Sequence, residues 1–529
     1  MANDPTNLPS AARPLGERLL LATLLLGFGD AAGKVLALLI TIARTHSLSA
    51  DEFGGFSFIL QTIGMFAQVA GFSLGMAATR YIALHRHSEH QKARQIAQFV
   101  VLFGLITCCL AVVLLLILAP LLSAEHPELI IPLRWSSLIL VFQTMSGLFL
   151  GLLAGLERFR AVTIAVFMQN VVMLALTAWW APWWGLNGTI LAMSAGFAIT
   201  LAIAFGQCRE LLGRPWATPR EIWSHHRLLF EFCIPSLVGG IIVVPANWLA
   251  QVIIAAQHDP TEPLIVGWLA ISGLAYLNSS GLRQVGLFAA ADQFRPMLSQ
   301  LANLVAQPMM PLITAQIHKA NDNSLPEKTR HEALLRTQRG IERCFQLVIC
   351  LILPAHACFA FAAPYIMALF GRSFSADWNV FLVVLYLGAI AGMVSLNGVA
   401  LYAQGRVWLQ NFFLVVYGIV MVAVTWLLQN YGAYALAFGQ LAATFSTFLL
   451  AGIILVRLGY FTLNSILAQL LAMVWMAVIT IISAWLPEHF RLYSIPLAVG
   501  ITFFFLFLFL KAETYYVVDL LLRKAKLRK

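Results

Sequence analysis

Long apolar runs alternate with short polar segments along nearly the whole chain. A helix needs roughly 20 mostly apolar residues to cross a bilayer, and most of these runs have that length. The pattern therefore predicts an all-α polytopic membrane protein with about fourteen transmembrane helices. The predicted spans are Leu19–Ile42, Phe56–Ala83, Ile96–Leu118, Leu129–Ala154, Val162–Trp180, Leu186–Gly206, Leu228–Ala255, Val285–Ile317, Phe345–Leu369, Val380–Leu401, Phe412–Gln429, Ala433–Leu455, Leu467–Leu486 and Ile495–Leu510.

One apolar run does not fit this pattern. Leu264–Leu277 is too short to cross a bilayer, and it lies in the longest of the predicted outer loops. We interpret it as an interfacial or re-entrant segment. A spanning role for this run would change the number of spans and reverse the orientation of every later loop.

The composition supports a membrane protein and argues against other classes. The chain is 60% hydrophobic and only 11% charged, whereas soluble domains carry about 25% charged residues. The net charge of +10 is spread over loop ends and the tail, so we expect no nucleic-acid partner. The cysteines lie mostly in apolar runs and form no CxxC pair. We therefore expect no zinc site, disulfide framework or other cofactor.

Lysines and arginines alternate between the predicted loops and set the orientation. If both termini are cytoplasmic, the outer segments carry Arg44, Arg134, Arg372 and Arg491, and nearly all the other cations lie inside. The positive-inside rule predicts this bias. Four tryptophans also flank one short outer turn, at the interfacial depth that amphipathic rings prefer. They are Trp179, Trp180, Trp183 and Trp184.

Two segments 232 residues apart share several identical residues. Phe53–Ala70 and Val285–Ala302 match at Gly54/Gly286, Phe56/Phe288, Gln61/Gln293, Met65/Met297, Gln68/Gln300 and Ala70/Ala302. An apolar composition raises the number of chance matches, so shared ancestry and coincidence both stay open. A real repeat would divide the chain into two parallel halves, as in several transporter folds. We then expect a six-helix half at 1–215, another at 216–460, and two additional helices with a basic tail at 461–529.

Charged residues inside the predicted spans are the candidate functional residues, because a charge near the bilayer centre costs at least about 2.5–3.5 kcal/mol. Asp30 and Lys34 lie in the first span at i and i+4, on one helical face. Asp292 and Arg295 lie in the eighth span at i and i+3. The two pairs are expected at similar depth. Two further cations lie near span ends, Arg283 at the outer mouth of the eighth span and Arg80 at the inner end of the second.

Two interpretations of these charges stay open. In the first, each aspartate neutralises its own neighbour and makes the helix insertable. In the second, spans one, two, seven and eight line a hydrated cavity between the halves. Lys34, Arg295, Arg80 and Arg283 would then bind an anionic headgroup. Asp30 and Asp292 would balance charge or carry coupling protons or sodium ions.

The chain resembles a known family at particular residues. The stretch LSADEFGGFSFILQ after the first span, followed by ATRYIA in the second, is similar to polysaccharide flippases of the Wzx type. These belong to the multidrug/oligosaccharidyl-lipid/polysaccharide (MOP) exporter superfamily, together with lipid II flippases and the multidrug MATE exporters. The segment VGLFAAADQF resembles the equivalent start of the second half.

This resemblance implies a V-shaped bundle of two six-helix halves plus two C-terminal helices. It implies a flippase in the bacterial cytoplasmic membrane that moves an undecaprenyl-diphosphate-linked oligosaccharide to the outer leaflet for surface polysaccharide synthesis. Implied partners are the lipid-linked glycan, the bilayer, and polysaccharide polymerase and chain-length machinery. The chain departs from the family pattern in the long insertion Gln257–Ser280 and in the charge of Asp292.

The charges of the spans and outer loops also bear on two other possible functions. A MATE-like multidrug exporter would favour carboxylates and aromatic residues for cationic drugs, and the cations in these spans argue against it. A membrane polymerase or ligase would need a sizeable outer loop with paired catalytic groups. The acids of the outer loops, Asp377 among them, have no partner at a useful spacing in the sequence, so we expect a transporter rather than an enzyme.

Overall fold

The computed structural model describes residues 32–85, 89–124, 126–213, 229–257, 280–303, 326–403 and 407–509, with isolated positions between 218 and 305. Two of the predicted features, Asp30 and the run Leu264–Leu277, lie outside the described residues. Within the described ranges all regular secondary structure is helical. Ten of these helical stretches are long and apolar enough to cross a membrane. The all-α polytopic fold is confirmed, and the number of fourteen spans stays a prediction.

The helices are numbered along the chain. They are α1 (residues 32–47), α2 (Ala50–Gly71), α3 (Leu74–His85), α4 (His90–Leu122), α5 (Ile130–Trp135), α6 (Ser137–Gly155), α7 (Phe159–Leu212), α8 (Ile234–Ala255), α9 (Gly281–Asp292), α10 (residues 295–303), α11 (Glu327–Phe361), α12 (Ala363–Ala368), α13 (Arg372–Ser375), α14 (Asn379–Ala403), α15 (Val407–Leu427), α16 (Ala433–Arg457), α17 (Leu463–Trp485) and α18 (Glu488–Phe509). A π-helical turn, Leu229–Cys233, precedes α8, and 3₁₀ turns cover Pro127–Leu129 and Gln429–Tyr431.

Helix α7 contains the predicted fifth and sixth spans. It reverses at Gly185, whose φ of 51° and ψ of −130° suit only glycine. The segments before and after Gly185 pack against each other, and Thr200 of the second donates a hydrogen bond of 2.8 Å to Gln169 of the first. Trp183 at the reversal is 80% exposed. A short turn at these tryptophans was predicted from the sequence, and its outer, interfacial position stays a prediction.

The predicted second span, Phe56–Ala83, is not one continuous helix. It breaks between α2 and α3, where Phe72 and Ser73 have φ values of 44° and 54°. Side chains other than glycine rarely adopt this left-handed region, so the break is strained. Thr107 of α4 donates to the carbonyl oxygen of Ala70 at 2.7 Å and so satisfies one acceptor that the break leaves without a helical donor.

The helices cluster into two compact units. The first comprises Met1–Ser49 and Ile59–Val244. Its core is formed by α3, α4, α6 and α7, and small residues let these helices approach closely. A Cβ atom on Gly151 of α6, for example, would overlap with the carbonyl oxygen of Gly75 at the start of α3. Close backbone packing thus holds α3 against α6 in the first unit.

The second unit comprises Ala50–Phe58 and Pro245–Lys529. Helix α14 lies at its centre and packs against α9, α11, α16 and α17. The last two helices, α17 and α18, pack against α11. Arg491 near the start of α18 lies over the Trp378 ring, 4.0 Å from its centroid, and so fixes this end of the helix. The predicted boundaries at 215 and 460, and the V-shaped arrangement, stay predictions.

One contact in the second unit bears on the internal repeat. A Cβ atom on Gly54 would overlap with the carbonyl oxygen of Leu282, and one on Gly286 would lie 2.7 Å from the carbonyl oxygen of Ala50. Gly54 and Gly286 are one of the matched pairs, and Ala50 and Leu282, just before the aligned segments, have the same separation of 232 residues. The contact is therefore reciprocal, as between two copies of one unit. This reciprocity favours shared ancestry over coincidence.

Candidate functional site

The eighth predicted span breaks where its two charges lie. Helix α9 ends at Asp292, and α10 begins at Arg295. Nη2 of Arg295 donates to Oδ2 of Asp292 at 2.9 Å, and Nε lies 2.8 Å from Oδ1. The carboxylate therefore neutralises its own neighbour, as the i, i+3 spacing allows. Whether either residue meets a substrate stays a prediction.

Arg295 also joins three other helices. Its Nη1 donates to Oε1 of Gln440 on α16 at 2.9 Å. The Gln440 amide nitrogen donates in turn to Oδ1 of Asn247 on α8 at 3.2 Å. The Tyr417 hydroxyl of α15 is within hydrogen-bonding reach of Asn247. We call Asp292, Arg295, Gln440, Asn247 and Tyr417 the Arg295 network.

Close packing holds this network in place without burying it fully. A Cβ atom on Gly388 of α14 would lie 3.0 Å from Cα of Arg295, so a glycine there lets α10 approach. The side chains of Arg295 and Asp292 remain 31% and 21% exposed. A guanidinium carries five N–H donors, more than the three contacts with Asp292 and Gln440 use. Oδ1 of Asp292 has no well-aligned hydrogen bond among the described residues.

A cavity of about 310 Å³ adjoins the network between α14, α15 and α16. Tyr417 lines it, and so does Thr444, whose hydroxyl donates to the Gln440 carbonyl oxygen at 2.7 Å. Asn397 and Gln410 contribute side-chain amides to the wall. The second unit thus combines a partly exposed guanidinium with an uncharged cavity whose wall is mostly apolar and carries several polar groups.

Arg283 belongs to a different site. It lies in the first turn of α9, and its Nη2 is 4.0 Å from Oδ2 of Asp377. The Asp377 carboxyl is 11% exposed. Burial raises its pKa above the ordinary range, and the positive charge of Arg283 opposes that shift. The sequence offered no partner for Asp377 because the arginine lies so far away along the chain.

The other predicted cations lie in the first unit. Lys34 is half-buried on α1, and a Cβ atom on the preceding Gly33 would lie 3.6 Å from the side chain of Asn170. Arg80 is exposed near the end of α3, with its guanidinium 5.6 Å from the Tyr81 ring centroid. The structure brings Asp292 and Arg295 together, and a shared role for the four cations stays a prediction. Among the described residues no group of His, Cys, Asp and Glu side chains could hold a metal ion.

Charge alone does not identify the uncharged members of the site. Gln440, Asn247, Asn397 and Gln410 are amides inside predicted spans or at their ends. Side-chain amides in membrane helices hydrogen-bond across helices, so an amide in an apolar run was the available signal. Tyr417 gave no signal, because aromatic residues are frequent in such helices.

Residues 20–316 match the model of a family described as "Polysaccharide biosynthesis protein". The EPS I polysaccharide export inner membrane protein EpsE of Ralstonia nicotianae is 23% identical over 449 residues, which cover 82% of this chain and 93% of the relative. Its counterpart in Ralstonia solanacearum is 23% identical over 440 residues, 81% of this chain and 92% of the relative.

Solved structures show the same fold. The lipid II flippase MurJ in an inward closed conformation superposes with a TM-score of 0.66 at 11% identity, covering 95% of this chain and 100% of MurJ. An inward-facing MATE family multidrug resistance transporter of the MOP superfamily gives 0.55 at 14% identity, covering 80% of this chain and 95% of the transporter. Together with a family match over more than half of the sequence, these findings show that the chain belongs to the polysaccharide biosynthesis protein family.

Proposed function

We propose that the protein is a flippase for an undecaprenyl-diphosphate-linked oligosaccharide. It moves this lipid from the cytoplasmic to the periplasmic leaflet of the bacterial inner membrane, with both termini in the cytoplasm. The observation that carries the proposal is the largely buried Arg295, held between Asp292 and Gln440 inside an apolar helix bundle. The family match, the export role in the name of EpsE and the flippase role in the name of MurJ support it.

The chemistry of the substrate fits this residue. A diphosphate with attached sugars does not cross hydrocarbon unaided, because each polar group buried without a partner costs roughly 2–7 kcal/mol. A planar guanidinium donates two parallel hydrogen bonds to phosphate oxygens. Arg295 would hold the diphosphate while the lipid tail stays in the bilayer. Alternating access would then expose the site to each side of the membrane in turn.

Asp292 is the proposed coupling group. A phosphate oxygen that takes over the guanidinium displaces the carboxylate, and a buried carboxylate without its partner is costly. Asp292 would then take up a proton or a sodium ion, and it would release that ion when Arg295 returns. Lys34, Arg80, Arg283 and Asp30 stay candidates for further contacts along the path.

Flipping a lipid involves no covalent step, so the proposed function is that of a transporter rather than a polymerase or ligase. A guanidinium at the site also favours an anionic substrate over the cationic drugs of a MATE-like exporter. Polymerase and chain-length proteins would receive the flipped glycan at the outer face.

The test is the export of glycan by cells in which Arg295→Ala replaces the native protein. Accumulation of the lipid-linked repeat on the cytoplasmic side is measured, together with the amount of protein in the membrane. Export is expected to fall about 100-fold or more, because truncating a buried, hydrogen-bonded charge costs about 2–5 kcal/mol. Arg336→Ala is the matched control, since that arginine is 68% exposed on α11. Normal export by a stably inserted Arg295→Ala protein would refute the proposal.

A further inference from the structure

The cavity beside the Arg295 network has no charged side chain in its wall among the described residues. Most of the wall is apolar, and its polar groups come from Asn397, Gln410, Thr447 and Tyr417. The ring of Tyr417 also lines it. Its volume of about 310 Å³ lies at the lower end of the range of ligand sites, about 300–1,000 Å³. It therefore suits one small, neutral group that has both apolar and polar faces.

Asn397 is the residue that points to an occupant. Its side chain is 1% exposed. Neither its amide nitrogen nor its amide oxygen has a hydrogen-bond partner among the described residues. A buried amide without a partner destabilises a fold, because it has left water and gained nothing in exchange. An amide that both donates and accepts at the wall of a cavity is what a ligand with hydroxyl groups would satisfy.

The neighbouring groups narrow the chemistry further. A Cβ atom on Gly398 would lie 3.6 Å from Nε2 of Gln410, so the second amide lies against the helix that carries Asn397. Amides that donate and accept, together with aromatic faces, match the alternating hydroxyl groups and C–H faces of a sugar ring. A fully charged ligand would find no counter-charge on this wall.

We infer that the cavity is a subsite for one neutral sugar unit. The inference rests on the proposed function and deepens it, since the cavity adjoins the guanidinium through Tyr417 and Thr444. Arg295 takes the anionic end of the lipid-linked glycan, and Asn397 and Gln410 take a sugar of its chain. The guanidinium then recognises the charge common to all such lipids, and the amide wall selects among glycans.

The chain offers a matched control for Asn397. Gln469 on α17 is 0% exposed, and both of its amide atoms also lack a partner among the described residues. It does not line the cavity. Asn397→Leu and Gln469→Met both replace an unpartnered amide with an apolar side chain of similar shape. Each variant is expected to melt at the same temperature as the parent protein or higher, because no hydrogen bond is lost.

The test uses the full-length protein in lipid nanodiscs with Ser395→Cys as a reporter. Ser395 lines the cavity, and its hydroxyl donates to Gly392 of its own helix at 2.8 Å. Labelling of residue 395 by N-ethylmaleimide is followed by mass spectrometry of its peptide. The probes are the methyl glycosides of glucose, galactose and N-acetylglucosamine at tens of millimolar. At least one is expected to slow labelling severalfold, an effect that Asn397→Leu abolishes and Gln469→Met preserves.

Three results would overturn the inference. The first is a labelling rate that none of the three sugars changes. The second is protection that survives Asn397→Leu. The third is protection of the cysteine by farnesol but not by the sugars. The last result would make the cavity a pocket for the lipid tail. Arg295→Ala separates this inference from the proposed function, because it is expected to abolish export and to keep the sugar protection. Normal export by Arg295→Ala together with Asn397-dependent protection would refute the flippase site alone.

Discussion

Two arginines lie on consecutive helices, Arg283 on α9 and Arg295 on α10, and the structure gives them different partners. Arg295 pairs with Asp292 at the end of α9, and Gln440 connects it to Asn247. Arg283, near the start of α9, meets Asp377 from a distant part of the chain. The first pair has two short distances, 2.8 and 2.9 Å, and lies beside a cavity, whereas the second is a looser pair of 4.0 Å. Two side chains of equal charge are thus held in different ways, one in a network of polar side chains and the other by a carboxylate that is distant in sequence.

The largest difference between the two pairs is expected in stability. Asp292→Asn leaves Arg295 inside the bundle without a counter-charge, and we expect it to lower the free energy of unfolding by about 3 kcal/mol, at the low end for buried pairs. Asp377→Asn should cost less than about 1 kcal/mol, because Arg283 and Asp377 approach only to 4.0 Å, whereas Arg295 and Asp292 make contacts of 2.8 and 2.9 Å. Titration of unfolding by SDS in mixed micelles measures both. Equal losses would remove the distinction between the pairs.

The first turn of α9 offers a second comparison, based on packing rather than charge. Gly54→Ala would drive a methyl group into the carbonyl oxygen of Leu282. We expect a loss of about 1–3 kcal/mol, which is typical of overpacking. Gly64→Ala on the same helix meets nothing within 4 Å and should be neutral or slightly stabilising. Thermal unfolding in detergent compares the two, and a harmless Gly54→Ala would show that the crossing is loose.

The smallest expected effect is a pH dependence of the Asp377 pair. Burial holds the pKa of Asp377 above its ordinary value of 3.8. The folded state therefore binds this proton more tightly than the unfolded state does. The contribution of the group to stability is present below the unfolded pKa and is lost as pH rises through the folded pKa. The difference in unfolding free energy between the parent protein and Asp377→Asn should shift in favour of the parent protein as pH falls from neutral. A shift in the opposite direction would mean that Arg283 dominates over burial.

The Arg295 network shows which contacts of the site can be predicted from the sequence. Spacing alone predicted the Asp292–Arg295 pair, because i, i+3 contacts are local. The Gln440, Asn247 and Tyr417 contacts join separate helices, and helix rotation and tilt decide which faces meet. The position of Asn397 at a cavity follows from the same rotation. Its amide was visible in the sequence, but its unpartnered state was not.

Hydropathy and loop charge determined the class of this protein without any structure. Apolar length requires helices that satisfy their own backbone hydrogen bonds in the bilayer, so an all-α polytopic fold followed from the sequence. The sequence also showed the matching residues of the internal repeat, but it left shared ancestry and coincidence equally open. The reciprocal contact of Gly54 and Gly286 comes only from tertiary structure.

The tertiary structure also decided which distant partners each charge has. A charge in a span is a local property and can be read from a single helix. Its partners on other helices are set by packing between segments that are far apart in sequence, where small residues such as Gly388 permit close approach. The same principle separates Arg295 from Arg283: both are cations of the eighth predicted span or its mouth, and only the surrounding helices give one a contact with Gln440 and the other a contact with Asp377.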